Sequence, residues 1–281
     1  MPELAISTWS LHRTLGPVYP ALDAHSGVSA AETPYGDGVL KLLDVPAYVA
    51  EMGIHALEIC HFHFPRTDAG YLAHLRRTLD AAGVRLMTLL VDAGDIAAAD
   101  AGARERDIHR IEGWIDVAQR VGATRVRVVA GTTPPDTAGR AVHASISGLT
   151  ALVTYARARG VEIITENWLA LAARPEQLLA ILDGLHGAVG LCADFGNYPL
   201  ETREADLRAI LPRAVSVHAK AEWPAPDVVD AVGFGRCLDL TREARFLGTY
   251  VLIFDDAGDE PESIVRLAEL AQPYLSVRRN N

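Results

Sequence analysis

The sequence predicts an α/β fold: a (β/α)8 TIM barrel formed as a single domain over residues 1–281. Three observations predict it. Eight short apolar runs alternate with amphipathic helical patterns, which favours a parallel sheet built from strand–helix–strand units. The runs are almost continuously apolar, as expected of strands covered on both faces. No GxGxxG follows the first run, no Walker A sequence is present and no linker breaks the alternation, so closure into a barrel is favoured over an open doubly wound sheet. The 281 residues suit one barrel, a fold that typically takes roughly 250.

The first strand is expected at Leu4–Thr8. Residues 11–40 follow, with several Gly and Pro and little periodicity. A loop this long in a compact domain is functional or disordered, and it is read here as a lid over the strand ends. Asp44-Val45-Pro46 marks a helix start, with Asp as N-cap and Pro just inside. Strands are expected at Ala56–Cys60 and Arg85–Val91. In "RERDIHRIEGWIDVAQRVG", Ile108, Ile111, Ile115 and Val117/Ala118 fall near helical spacing, and Gly122 ends the helix. After a strand at Arg125–Ala130, "DTAGRAVHASISGLTALVTYARARG" forms a helix ending at Gly160. The fifth strand, Val161–Glu166, precedes a helix with Pro175 in its first turn. Strands at Val189–Asp194, Ala214–Ala219 and Tyr250–Asp255 complete the set.

Composition narrows the function. The net charge is -10, from 26 Lys and Arg against 36 Asp and Glu, which opposes nucleic-acid binding. A small anionic substrate needs only a local Arg or Lys. No apolar run approaches the ~18 residues of a membrane span, and "MPELAISTWS" carries Glu3 where a signal peptide would be basic. Cys60, Cys192 and Cys237 are scattered and form no CxxC, which points to reduced thiols and a cytoplasmic protein.

Chemistry concentrates at the strand ends, where a barrel of this type carries its active site. The fifth strand ends in Glu166 ("IITENW"), the sixth in Asp194 ("GLCADFGN"), the seventh in His218 ("VSVHAK") and the eighth in Asp255-Asp256 ("YVLIFDDAGD"). Any one of these, taken alone, would serve as a helix cap or ion-pair partner. Four successive strands ending in metal-capable groups instead suggest a shared divalent cation, since clustered carboxylates repel without one. Oxygen ligands with one imidazole suit Mn²⁺, Mg²⁺ or Co²⁺. Period-two alternation puts Val251, Ile253 and Asp255 on one face, so Asp255 is preferred as the fourth ligand and Asp256 is the runner-up.

At these residues the chain resembles the xylose isomerase-like TIM-barrel superfamily, the sugar phosphate isomerase/epimerase group. "TENW" is similar to its strand-five Glu-Asn motif, "ADFGN" to Asp-x-Gly-His, "VHAK" to His-x-Lys and "LIFDDAGDEPES" to its last strand and helix. "RIEGWIDVAQRVGATRVRVVAG" resembles its third helix and fourth strand. The resemblance implies a divalent metal, Mn²⁺ first with Mg²⁺, Co²⁺ or Zn²⁺ as alternatives, held by Glu166, Asp194, His218 and Asp255. It also implies Glu166 and Asp255 as an acid/base pair, a small carbohydrate substrate and homo-oligomeric assembly. Two positions depart from the pattern: Asn197 stands where His is usual, and Asp255 where Glu is usual.

The activity so implied is isomerisation or epimerisation of a keto sugar or polyol, by proton abstraction next to a carbonyl and an enediolate intermediate. The two departures motivate an alternative, a dehydratase or lyase acting on a keto-polyol or oxidised glycoside. A non-catalytic sugar-binding barrel is a third reading. A DNA-repair endonuclease on this fold is disfavoured by the acidic charge and by Asn197. Substrate contacts are expected from Trp9, Trp168 and Trp223 as stacking surfaces, from Lys220, and from Asn197. Glu58 and His61, in "LEICHFHF", are read as substrate contacts or loop residues. His63, His12 and Glu222 are weaker candidates, and Arg127 faces either the substrate or the helix layer.

Overall fold

The computed structural model describes residues 2–25, 27 and 29–275. Eight parallel strands close into a barrel in sequence order. They are β1 (Glu3–Ser7), β2 (Ala56–Cys60), β3 (Arg85–Val91), β4 (Arg125–Val128), β5 (Glu162–Glu166), β6 (Gly190–Asp194), β7 (Ala214–Lys220) and β8 (Thr249–Ile253). The helices are α1 (His12–Leu15), α2 (Val45–Glu51), α3 (Ala69–Ala82), α4 (Ala101–Val121), α5 (Arg140–Arg157), α6 (Pro175–Gly184), α7 (Arg203–Ile210), α8 (Ala231–Glu243) and α9 (Glu260–Ala271). Among the described residues, no helix is long and apolar enough to cross a membrane.

Two apolar cores follow from strand alternation. Ala5, Ala56, Met87, Val251 and Ile253 plug the barrel interior. Leu57, Ile59, Val126, Val128, Leu191, Ala193, Val217 and Leu252 face outward into the larger core under the helices. Val251 and Ile253 therefore point inward, and Leu252 and Phe254 outward.

Strand ends differ from expectation where side chains replace ladder bonds. The Phe254 amide donates to Ser10 Oγ (2.9 Å), which itself donates to the Leu252 carbonyl (2.9 Å). β8 therefore stops at Ile253, and Asp255 sits on the loop beyond it. β4 stops at Val128 because the Ala130 carbonyl is taken by Ser145 Oγ of α5 (2.7 Å). Thr8 leaves β1 because its hydroxyl accepts the Cys60 amide (2.9 Å). The expected caps divide. Gly122 is left-handed at φ 84 and ends α4, but Asp44 makes no side-chain cap bond at the start of α2.

The described residues of the 11–40 segment, read in the sequence as a lid, carry regular structure. They contain α1 and an antiparallel bridge between Val18 and Glu32. At the base, Gly16 (φ 74) crosses Gly38 (φ 67), and a Cβ on either would strike the other's backbone. Glu260, in the first turn of α9, holds this base: its carboxylate accepts from the Arg13 amide (2.9 Å), the Thr14 amide (2.8 Å) and the Thr14 hydroxyl (2.6 Å). Higher up, Tyr35 packs edge-on against Trp9 and His12 at the barrel mouth.

Candidate active site

A cavity of about 340 Å³ opens at the C-terminal ends of the strands. Its floor is set by parity: residues two apart on a strand reach the same side. Glu166, Asp194 and His218 occupy the inward positions that end β5 and β6 and lie near the end of β7. Their ligand atoms lie within 4.8 Å of one another, and all three side chains are buried. His218 Nδ1 is 3.3 Å from Asp194 Oδ2 and 3.5 Å from Glu166 Oε1. Its other nitrogen, Nε2, lies 3.0 Å from Glu58 Oε2.

The local sequence explains why these groups are held. Asn167, next to Glu166, reaches across to β6: its amide donates to the Asp194 carbonyl (3.0 Å) and its carbonyl accepts the Asp194 amide (2.7 Å). The strand-five Glu-Asn pair thus supplies one acid and fixes the next. The Gly196 amide donates to Asp194 Oδ1 (2.6 Å), and Asn197 Nδ2 donates to Glu166 Oε1 (2.9 Å).

Asp255 does not join the Glu166–Asp194–His218 group. Its Oδ2 accepts from Lys220 Nζ (2.6 Å) and from Trp9 Nε1 (3.4 Å), on the wall formed by β7, β8 and β1. Asp256 lies outside the cavity, its carbonyl accepting from Arg13 (2.8 Å). Arg127 turns inward. It pairs with Asp92 (2.5 Å) and stands 3.0 Å from Glu166 Oε2, with its guanidinium 5.4 Å from the Trp168 ring centre.

Trp9, Trp168, Asn197, Lys220 and Asp255 line the cavity together with the triad. Trp223 does not: it is buried behind the wall, edge-on to Phe254 at 4.9 Å. Glu58 lies beneath the cavity floor, fully buried. His61 is buried against Trp114, with Nδ1 3.3 Å from the Asp92 amide. His63 bonds Thr8 (2.8 Å), His12 stacks on Trp9 (4.8 Å) and Glu222 pairs with Arg203 (2.8 Å). Asp92, one residue past β3, lines the cavity and was missed in the sequence. The strand-end rule that selected Glu166 would have found it. Asn167 is carried in the sequence by the "TENW" resemblance, but its two bonds across to Asp194 are not.

Charge is unbalanced here. Among the described residues, four carboxylates (Asp92, Glu166, Asp194, Asp255) line the cavity against two fixed cations, Arg127 and Lys220. Burial would raise the Glu166 carboxyl, but Arg127 and His218 outweigh burial and hold it below its usual range. Burial opposes a charge on His218, yet Cys192, Glu166 and Asp194 lift it well above the usual imidazole value. Burial likewise opposes a charge on Lys220, and Asp194 and Asp255 outweigh it to raise the ammonium. With no metal bound, a proton on His218 neutralises part of the excess. The donor set (two carboxylates and an imidazole with a shared focus) fits a divalent cation, which would take the place of that proton.

Comparison with known proteins agrees with this architecture. A family model described as xylose isomerase-like TIM barrel matches residues 46–249. No curated protein matches the chain. Among solved structures, a D-tagatose 3-epimerase-like protein superposes with TM-score 0.69 at 18% identity, covering 97% of each chain. D-psicose 3-epimerase with D-tagatose from Clostridium cellulolyticum H10 gives TM-score 0.70 at 13% identity, covering 98% of this chain and 100% of that one. A xylose isomerase-like TIM barrel protein from Mycobacterium smegmatis in complex with magnesium gives 0.66 at 16%, covering 98% of each. At these identities the likeness is one of fold.

Proposed function

The chain belongs to the xylose isomerase-like TIM-barrel family, and from that membership we propose that it is a divalent-metal-dependent isomerase or epimerase of a keto sugar or polyol. One observation carries the proposal: three metal-capable side chains from successive strands share a focus inside an acidic cavity at the catalytic end of the barrel. The structural neighbours described as D-tagatose 3-epimerase-like and D-psicose 3-epimerase, and the magnesium complex, support it.

Glu166, Asp194 and His218 would hold the metal. When bound, it would polarise the substrate carbonyl and steady the negative charge that develops on it. Mn²⁺ is the first candidate for this donor set, with Mg²⁺ next. The remaining chemistry belongs to the chain. Arg127 keeps Glu166 ionised, so Glu166 can accept a proton from the carbon beside the carbonyl. Asp255 stands on a different wall, three strands further round the barrel, and shares a proton-bearing contact with Lys220. Proton handling on two walls suits removal from one face of a carbon and return to the other, which is epimerisation.

Trp9 and Trp168 supply flat apolar surfaces for the substrate skeleton. Among the described residues lining the cavity, Arg127 and Lys220 are the cations and both are committed to carboxylates, so neither is free for a phosphate. The substrate is therefore taken to be unphosphorylated. The cavity's volume accommodates one monosaccharide-sized molecule.

A second reading, dehydration, is supported by one contact: Lys220 donates to Asp255 at 2.6 Å, and this ammonium–carboxylate pair could pass a proton to a departing hydroxyl. The two separate in one experiment. The metal-loaded protein is incubated with a panel of keto sugars and ketoinositols in deuterated water. Epimerisation or isomerisation gives a product of unchanged composition carrying solvent deuterium, and dehydration gives loss of water. No turnover and no exchange across the panel, with metal bound, would sink both and leave a sugar-binding barrel.

A further inference from the structure

Glu58 is a buried carboxylate that the mechanism above does not use. It sits inside the barrel on β2, fully excluded from solvent. The β2–β3 register shifts between Leu57 and Glu58, an irregularity of the kind that re-aims a side chain. The side chain is aimed at His218: Oε2 lies 3.0 Å from Nε2, and the two are separated by 160 positions in sequence. Oε1 has no hydrogen-bond partner among the described residues, so no second donor competes for the carboxylate.

We propose that Glu58 is a positioning residue for the metal site, orienting the His218 ring and fixing hydrogen on Nε2 so that Nδ1 presents its lone pair to the cation. The inference rests on the metal reading above. The geometry gives its physical content. An imidazole offers a lone pair on one nitrogen only when the other carries the hydrogen. The Nδ1 edge faces Asp194 and Glu166, and the Nε2 edge faces Glu58. A carboxylate accepting from the far nitrogen therefore selects the tautomer, fixes the ring plane and raises the basicity of the ligating edge. Partners of this kind typically change metal affinity by about 10–100-fold. A buried carboxylate facing only an imidazole is otherwise a poor source of stability, because desolvation offsets the attraction.

The test separates orientation from charge. Mn²⁺ alone is titrated calorimetrically, at fixed pH, into wild-type protein, Glu58→Gln and Glu58→Leu, with thermal unfolding of each metal-free protein run alongside. Both variants remove the negative charge, but only Gln keeps an acceptor for Nε2. The expected result is a Kd weakened by about 10–100-fold in Glu58→Leu and by only several-fold in Glu58→Gln. Equal losses in the two variants show a charge effect and overturn the positioning role. A Kd within twofold of wild type in folded Glu58→Leu overturns it as well. Should Glu58→Leu not fold, Glu58→Met, closer in shape and likewise without an acceptor for Nε2, takes its place in the same comparison with Glu58→Gln. Wild-type protein that binds no Mn²⁺ defeats the metal reading itself. That outcome is distinct from a wild-type site that binds while the variants bind equally.

Discussion

Replacing Glu260 by Ala tests the link between the last helix and the first loop. Glu260 is 3% exposed and accepts three hydrogen bonds, from the Arg13 amide, the Thr14 amide and the Thr14 hydroxyl. The hydroxyl can rotate to another acceptor, but the two backbone amides cannot. Each amide left without a partner costs about 1–3 kcal/mol. Arg13 and Thr14 are only half-buried, so water reaches the gap and the lower part of that range applies. The expected loss is about 2–4 kcal/mol in unfolding free energy, and about half of it for Glu260→Gln, which keeps one acceptor oxygen. The assay is equilibrium urea unfolding followed by tryptophan fluorescence. Trp9 adds a local report, because Tyr35 and His12 pack on it from the same loop. A value for Glu260→Ala within about 0.5 kcal/mol of wild type, the ordinary range for a surface change, would show that the carboxylate does not secure the loop.

Three further outcomes are expected. Burial pushes His61 down from 6.5 to about 4 and His63 down to about 3. Both fold neutral and take up a proton on unfolding, so stability falls as pH drops below 6.5 and levels off near pH 4 for His61. At pH 5 each costs about 2 kcal/mol. Urea midpoints that stay flat from pH 6.5 to 5 in the metal-free protein would contradict this. Chelation should lower thermal stability and Mn²⁺ restore it: at a hundredfold excess over Kd the gain is about 2.7 kcal/mol, or roughly 5 °C. An identical melting temperature with and without Mn²⁺ argues against a cation at Glu166, Asp194 and His218. Arg127→Met leaves the buried Glu166 and the part-buried Asp92 without their guanidinium, so the metal-free protein should lose about 3 kcal/mol, the lower end for a broken buried pair. The same change removes a positive charge beside the focus, so Mn²⁺ affinity should rise. Unchanged stability together with weaker metal binding would reverse the role given to Arg127.

The barrel was legible because strand and helix periods differ and eight alternations leave few other architectures. The triad was legible for a related reason: a carboxylate or imidazole closing an apolar strand has no packing role, and parity then fixes which way it points. The end of β8 was not legible, because it depends on Ser10, a residue brought beside it only by ring closure. Asp255 reads like a fourth ligand on its own strand, and its engagement by Lys220 and Trp9 depends on neighbours from two other strands. The direction of Arg127 is open in the sequence because alternation sets Arg125 and Arg127 opposite Val126 and Val128 without saying which face is inward, and Trp223 follows a strand end yet turns to the helix side. Glu58 shows the limit most sharply. Its position on the strand was plain, but the irregular pairing with β3 and the partner far along the chain appear only in three dimensions.

The staple from Glu260 to Arg13 and Thr14 has a consequence for synthesis. During translation the loop after β1 emerges before the other seven strands, while its anchor in α9 and the β8 partner of β1 emerge after the first seven strands. A ribosome-tethered chain stopped before Thr249 has neither, so its mouth stays unassembled however long it waits. Competence should therefore arrive in one step, once β8 and α9 have emerged, and not accumulate strand by strand.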